Sequence, residues 1–149
     1  ASTLVVHGVQ CTADDIARMR EVAATIVSCP RSNAYVGAGA PPLAEFYAAG
    51  VPVAFGTDSL ASVDDLNMFS ELAEARRLAP DVPARRLLES ATLVGARALG
   101  FAPDYGSLEP GKRASLLSVD VPASVTDVEE YLLSGLAWQM QWVPVPDPA

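Results

Sequence analysis

The chain has 149 residues, half of them apolar, with ten basic against eighteen acidic side chains and a net charge of −8. That length and apolar content suit one ordinary domain with a buried core and argue against disorder. The acidic balance argues against nucleic acid or an anionic membrane surface as the main partner, and its plain reading is an acidic solvated surface. Two cysteines, Cys11 and Cys29, lack CxxC spacing, so neither a disulfide framework nor a cysteine zinc site is indicated. No apolar stretch reaches the roughly 18 residues of a membrane span. A cytoplasmic protein with reduced thiols is the expectation.

In chain order, "STLVVHG" (2–8) is a short β-branched run closed by glycine and reads as a buried strand. The chain begins almost inside it, a hint that an N-terminal part is missing. "CTADDIARMREVAA" (11–24) opens with Thr12 and Asp15 in capping-box spacing and sets Ile16, Met19 and Ala23 on one helical face. "ATIVSCP" (24–30) is a second strand stopped by Pro30, and "RSNAYVGAGAPP" after it reads as a long loop. "PLAEFYAAG" predicts a short helix capped by Gly50, and "VPVAFG" a third strand. Two longer amphipathic helices are expected over 65–79, with Leu66, Phe69, Leu72 and Ala73 on its apolar face, and over 84–99, ending at Gly100. From Phe101 the texture changes to turn residues around short apolar runs, which predicts small hairpin-like β-structure. The tail holds one short helical stretch, an apolar run and a proline-rich, extended end.

Alternating strands and helices predict parallel strands with right-handed crossovers, their C-terminal ends on one rim. That rim would gather His7, the loop from Cys29 to Asn33, and Asp58, and α/β active sites form on such rims. Each residue has a plain alternative. His7 is the only histidine and could be a hydrogen-bonded structural group. Asp58 could be a helix N-cap instead of a metal ligand or proton acceptor. Arg31, Ser32 and Asn33 could orient a polar substrate or only stabilise a turn. Cys29 reads as a buried small residue and not a nucleophile. The acidic pairs at 14 and 64 read as first-turn helix residues and carry no chemistry.

Taken in order, "HG", "SCPRSN", "AGVPVAFGTDSLAS", "ATLVGARALG" and "GSLEPGKRA" resemble the C-terminal half of the metal-dependent amidohydrolase superfamily. The similar branch holds the cytosine, guanine and S-adenosylhomocysteine deaminases and the triazine hydrolases. The resemblance runs over about residues 3–120. It implies an α/β fold, with residues 1–102 as strands six to eight of a partial (β/α)8 TIM-type barrel. Residues 103–149 would then be the C-terminal piece of a small β-sandwich domain and a tail. Carried over by position, it implies that Asp58 binds a divalent metal, zinc or iron, and shuttles a proton, and that His7 contacts the attacking water or the substrate. Ser32 and Asn33 match the family's "SN", and Arg31, Asn33 and Tyr35 remain as substrate contacts from the surviving loop. Ser115 stands where the family usually has aspartate.

The family's His-x-His, a further metal histidine and a glutamate have no counterpart in this sequence. One histidine and one aspartate do not complete a catalytic zinc site, so the chain alone is expected to be inactive. The expected partners are an N-terminal half of the same barrel and a small-molecule substrate, with self-association as another way to cover open sheet edges. The first hypothesis is therefore part of a metal-dependent hydrolase of carbon–nitrogen bonds, deaminating a purine, pyrimidine or related ring. The second is a noncatalytic truncated α/β module for binding or assembly. A nucleotide-binding fold is disfavoured because no GxGxxG or GxxxxGK[ST] loop occurs.

Overall fold

A computed structural model describes residues 3–135 and 139–144. Three short strands, β1 (Leu4–Val6), β2 (Thr25–Ser28) and β3 (Val53–Phe55), form a parallel sheet in the order β1-β2-β3. Between them run α1 (Ala13–Glu21), α2 (Pro30–Tyr35) and α3 (Leu43–Ala48). The chain continues through α4 (Met68–Leu78), α5 (Ala84–Ser90) and α6 (Leu93–Ala98). It then reaches β4 (Leu117–Val119), α7 (Val128–Leu132) and β5 (Met140–Trp142).

The register pairs Val5 with Ile26 and Ile26 with Val53, so these side chains share one face of the pleat. That face packs against the helices: Ile26, Leu43, Phe46, Val53, Leu72 and Leu87 form the centre of the core, with Leu133 joining from beyond α7. The opposite face is uncovered at β1, where Leu4 and Val6 are exposed. β1 and β3 are the outer strands of this sheet, each with one ladder edge free among the described residues. None of the described helices is long and apolar enough to cross a membrane.

Local chemistry explains the boundaries. Thr12 and Asp15 form the expected reciprocal capping box at the start of α1. Ile16 and Met19 are buried as expected, but Ala23 lies past the helix in an exposed turn with φ +52. The segment expected as a loop after Pro30 instead begins with α2, because Pro30 is preset for a first helical turn and Ser32 and Asn33 fold inward. The helix expected over 65–79 starts later, after the N-cap Asn67, whose side chain accepts the Phe69 N–H. Its buried stripe is Glu71, Leu72 and Ala75, while Leu66 is exposed. The acidic pair at 64 therefore lies in the preceding loop, not in a helix.

The helix expected over 84–99 is broken into α5 and α6. The Ser90 and Thr92 hydroxyls bond back to the Arg86 and Leu88 carbonyls, which offers the backbone an alternative to a continuous ladder. Beyond Phe101 there is no local hairpin among the described residues. β4 pairs antiparallel with β5, more than twenty residues later, so the tail's apolar run supplies the second strand. The proline-rich end at 145–149 lies outside the described residues.

Candidate functional site

The parallel ladder runs on past the strands to deliver the site. His7 N–H donates to the Val27 carbonyl at 2.9 Å and Gly56 N–H to the Ser28 carbonyl at 3.0 Å. His7 and Asp58 then take the left-handed conformation, φ +68 and +61, uncommon outside glycine though tolerated by His and Asp. Such strain persists where surrounding contacts fix it, and it concentrates at functional sites.

Those contacts come from α2. The Ser32 hydroxyl donates to Asp58 Oδ2 at 2.7 Å and lies 2.8 Å from the Ser62 hydroxyl, which itself reaches Asp58 Oδ2 at 3.3 Å. Ser32 and Ser62 are buried. The Ser32 hydroxyl above all, with Ser62 and the nearby His7, holds the Asp58 carboxyl below its usual range. On the other side, His7 Nδ1 lies 2.9 Å from Asn33 Oδ1. An amide oxygen only accepts, so with Oδ1 facing the ring it is the Nδ1–H form of His7 that makes this bond, and the neutral ring in that form has its lone pair on Nε2. That Nε2 is 3.9 Å from Asp58 Oδ2. Both atoms border one open hollow of about 440 Å³, lined also by Val9, Gln10, Val36 and Ala38.

Asp58 is not a helix N-cap, since turns and irregular chain separate it from Asn67, the cap of α4. Asn33 lies on the hollow, held by His7, with its Nδ2 buried and unpartnered. Arg31 and Tyr35 do not join them. They line a second hollow with Ser62, Val63, Asp64 and Glu74. The Arg31 guanidinium pairs with Asp65 at 2.7 Å and lies 3.7 Å from Glu71. Cys29 is buried, and burial, with Asp58 and Glu71 nearby, pushes its thiol up to about 11, which leaves it inert. Two residues escaped the sequence reading. Ser62 sits in "SLAS" with only its i+4 spacing from Asp58 as a signal, and Glu71 hid on an apolar helix face.

An imidazole lone pair and a carboxylate are ligands that suit a divalent metal such as zinc. Among the described residues, however, no group of three metal-ligating side chains is assembled. The donor types therefore fit such an ion, and the ligand count is short of the three protein ligands a catalytic zinc normally has.

The amidohydrolase family model matches residues 1–139. The 5-methylthioadenosine/S-adenosylhomocysteine deaminase of Moorella thermoacetica is 42% identical over 125 residues, covering 79% of this chain and 29% of that protein. The crystal structure of a zinc-bound adenosine deaminase from Xanthomonas campestris superposes with a TM-score of 0.81 and 39% identity, over 87% of this chain and 32% of that one. An Arthrobacter aurescens atrazine chlorohydrolase, also solved with zinc, gives a TM-score of 0.75 and 29% identity over 87% of this chain and 31% of that one. The chain thus spans about three tenths of the length of the relatives it matches.

Proposed function

This chain belongs to the amidohydrolase family, and from that premise we propose that it supplies part of the active site of a metal-dependent hydrolase of carbon–nitrogen bonds, one that deaminates a purine, pyrimidine or related ring. The observation that carries the reading is the rim itself. A free imidazole lone pair and a carboxylate, from two different strand ends, face one hollow and are each held by a neighbour on α2. In this reading β1, β2 and β3 are strands six, seven and eight of a (β/α)8 barrel within residues 1–102. Residues 103–149 contribute to a small β-sandwich. The free edges and the uncovered face of β1 are where the rest of the barrel would pack, since a closed barrel of this kind takes about 250 residues.

Asp58 would hold the metal, zinc first and iron second, together with ligands supplied by another segment or polypeptide. When bound, such an ion would supply Lewis acidity, enough to make a nucleophile of water at neutral pH. Asp58, its carboxyl held below the usual range by the Ser32 hydroxyl, accepts a proton from the attacking water and passes it on toward the departing nitrogen. His7 presents Nε2 as an acceptor to the attacking water or the ring, while Asn33 keeps that tautomer in place. Asn33 is the substrate-side candidate on this hollow; Arg31 and Tyr35 could reach a substrate only through the neighbouring one. A cytoplasmic setting is part of the same proposal.

The second reading, a noncatalytic α/β module for binding or assembly, is favoured by the two-donor count among the described residues. Intact-mass and metal analysis of native material separates them. A co-purifying polypeptide carrying His-x-His, with about one divalent ion per pair, is the expected result. A lone, metal-free 15.6 kDa species would sink the catalytic reading.

A further inference from the structure

We propose that Glu71 is a positioning residue: it locks the first turn of α2 and, through that turn, the two contacts that fix Asp58 and His7. The proposal takes its purpose from the catalytic reading of the rim, while its geometry stands apart from it.

α2 has Pro30 preset for its first turn but no capping side chain of its own. Its N-cap, Cys29, makes no side-chain capping bond, and Pro30 has no N–H, so the Arg31 N–H is the first donor left orphaned. Glu71 meets it from another element. Its side chain is fully buried on α4, and Oε2 accepts the Arg31 N–H at 3.2 Å. The Arg31 side chain closes a ring around this contact. Nη1 lies 3.7 Å from Glu71 Oε1 and bonds Asp65 Oδ1 at 2.7 Å, while Asp65 also accepts the N–H of Asn67, the residue that starts α4. The end of β2, the loop after Asp58 and the start of α4 are thereby tied at one point. The next two residues on the tied turn are Ser32, on Asp58, and Asn33, on His7.

The arrangement is not one that packing alone would favour. Glu71 Oε1 is buried with no hydrogen-bond partner, and an apolar side chain would fill the same space without that penalty. What an apolar residue could not do is hold the Arg31 N–H. The position calls for an acceptor, which glutamine can also supply.

The test uses the 149-residue chain, and its single histidine gives one set of imidazole signals. Nitrogen-15 spectra report the His7 tautomer, at a pH where the ring is neutral, and hydrogen exchange reports the Arg31 amide. Wild type and Glu71→Gln are expected to keep His7 mainly as the Nδ1–H form and to protect the Arg31 amide. Glu71→Leu is expected to release the ring toward the Nε2–H form and to speed Arg31 exchange at least tenfold. Arg31→Ala, which keeps the backbone N–H, is expected to leave the tautomer in place. A folded Glu71→Leu chain with an unmoved tautomer and a protected Arg31 amide would overturn the proposal. If Glu71→Leu does not fold, wild type and Glu71→Gln decide it, because an unprotected Arg31 amide in either defeats it. None of these readouts needs metal or substrate, so the catalytic reading could fail while this result stands.

Discussion

Replacing Glu71 with glutamine should change how stability depends on pH, with a sign and size set by burial. Burial pushes the Glu71 carboxyl from about 4.5 up to about 7, against the opposing pull of the Arg31 N–H and guanidinium. Asp65 and Glu74 add to the rise. Below pH 4.5 the acid is protonated whether the chain is folded or not, and it costs nothing. Between 4.5 and 7 the unfolded chain ionises first, so stability is lost as pH rises, and above 7 the penalty is constant. A separation of about 2.5 pH units at about 1.4 kcal/mol each gives roughly 3 kcal/mol. Glutamine keeps an oxygen for the Arg31 N–H and never ionises. The stability of Glu71→Gln minus that of wild type should therefore grow by about 3 kcal/mol from pH 4 to pH 8. Of the neighbours facing Glu71, Asp65 and Glu74 are held below their ordinary range by their own partners, the Cys29 thiol is pushed up to about 11, and the Arg31 guanidinium pairs with Asp65 in both proteins. Urea unfolding followed by far-ultraviolet circular dichroism at three or four pH values measures the difference. A gap that stays flat within about 0.5 kcal/mol would refute the reasoning, since surface substitutions alone move stability by that much.

Two further outcomes are expected. Ser32→Ala should let the Asp58 carboxyl rise toward its ordinary range, because the first cause of its depression is the Ser32 hydroxyl; a carbon-13 titration of the Asp58 carboxyl that does not move would contradict this. The stability that Asp58 contributes is present above its unfolded value and is lost as pH falls through the folded one, so Ser32→Ala should shift that loss to higher pH. Gly106→Ala should destabilise by about 1–3 kcal/mol in urea unfolding. Gly106 has φ +94, and an added Cβ would meet Leu93 Cα at 2.9 Å, a backbone atom that has little room to give.

The parallel α/β unit was legible because its signals are local. The β-branched runs ending at glycine or proline, the Thr12 and Asp15 box and Gly50 at a helix end each mark one boundary without reference to the rest of the chain. What the sequence hid depends on distant partners. α2 reads as a loop because "RSNAYVGAG" looks like turn chemistry, and its starting donor is satisfied by Glu71, forty residues later. β4 looks like half of a hairpin because its partner β5 lies beyond α7. Arg31, a candidate substrate contact by its place in the surviving loop, also pairs with Asp65 and lies against Glu71, partners more than thirty residues away that its own neighbourhood does not announce.

The rim shows why a charge pair at its centre need not close. At 3.9 Å, His7 Nε2 and Asp58 Oδ2 are too far apart for a hydrogen bond, and both side chains are more than a third exposed, so their direct attraction is a weak restraint. The restraint comes from behind. Consecutive residues of α2 each take one member of the pair, Ser32 at 2.7 Å from Asp58 and Asn33 at 2.9 Å from His7. Because Ser32 and Asn33 are themselves buried, they cannot swing out to let the pair collapse. α2 therefore acts as a spacer that keeps an acceptor nitrogen and an acceptor oxygen apart over an open hollow. Two acceptors with no proton between them are a poor source of stability. They suit a third group with protons to give that would sit between them.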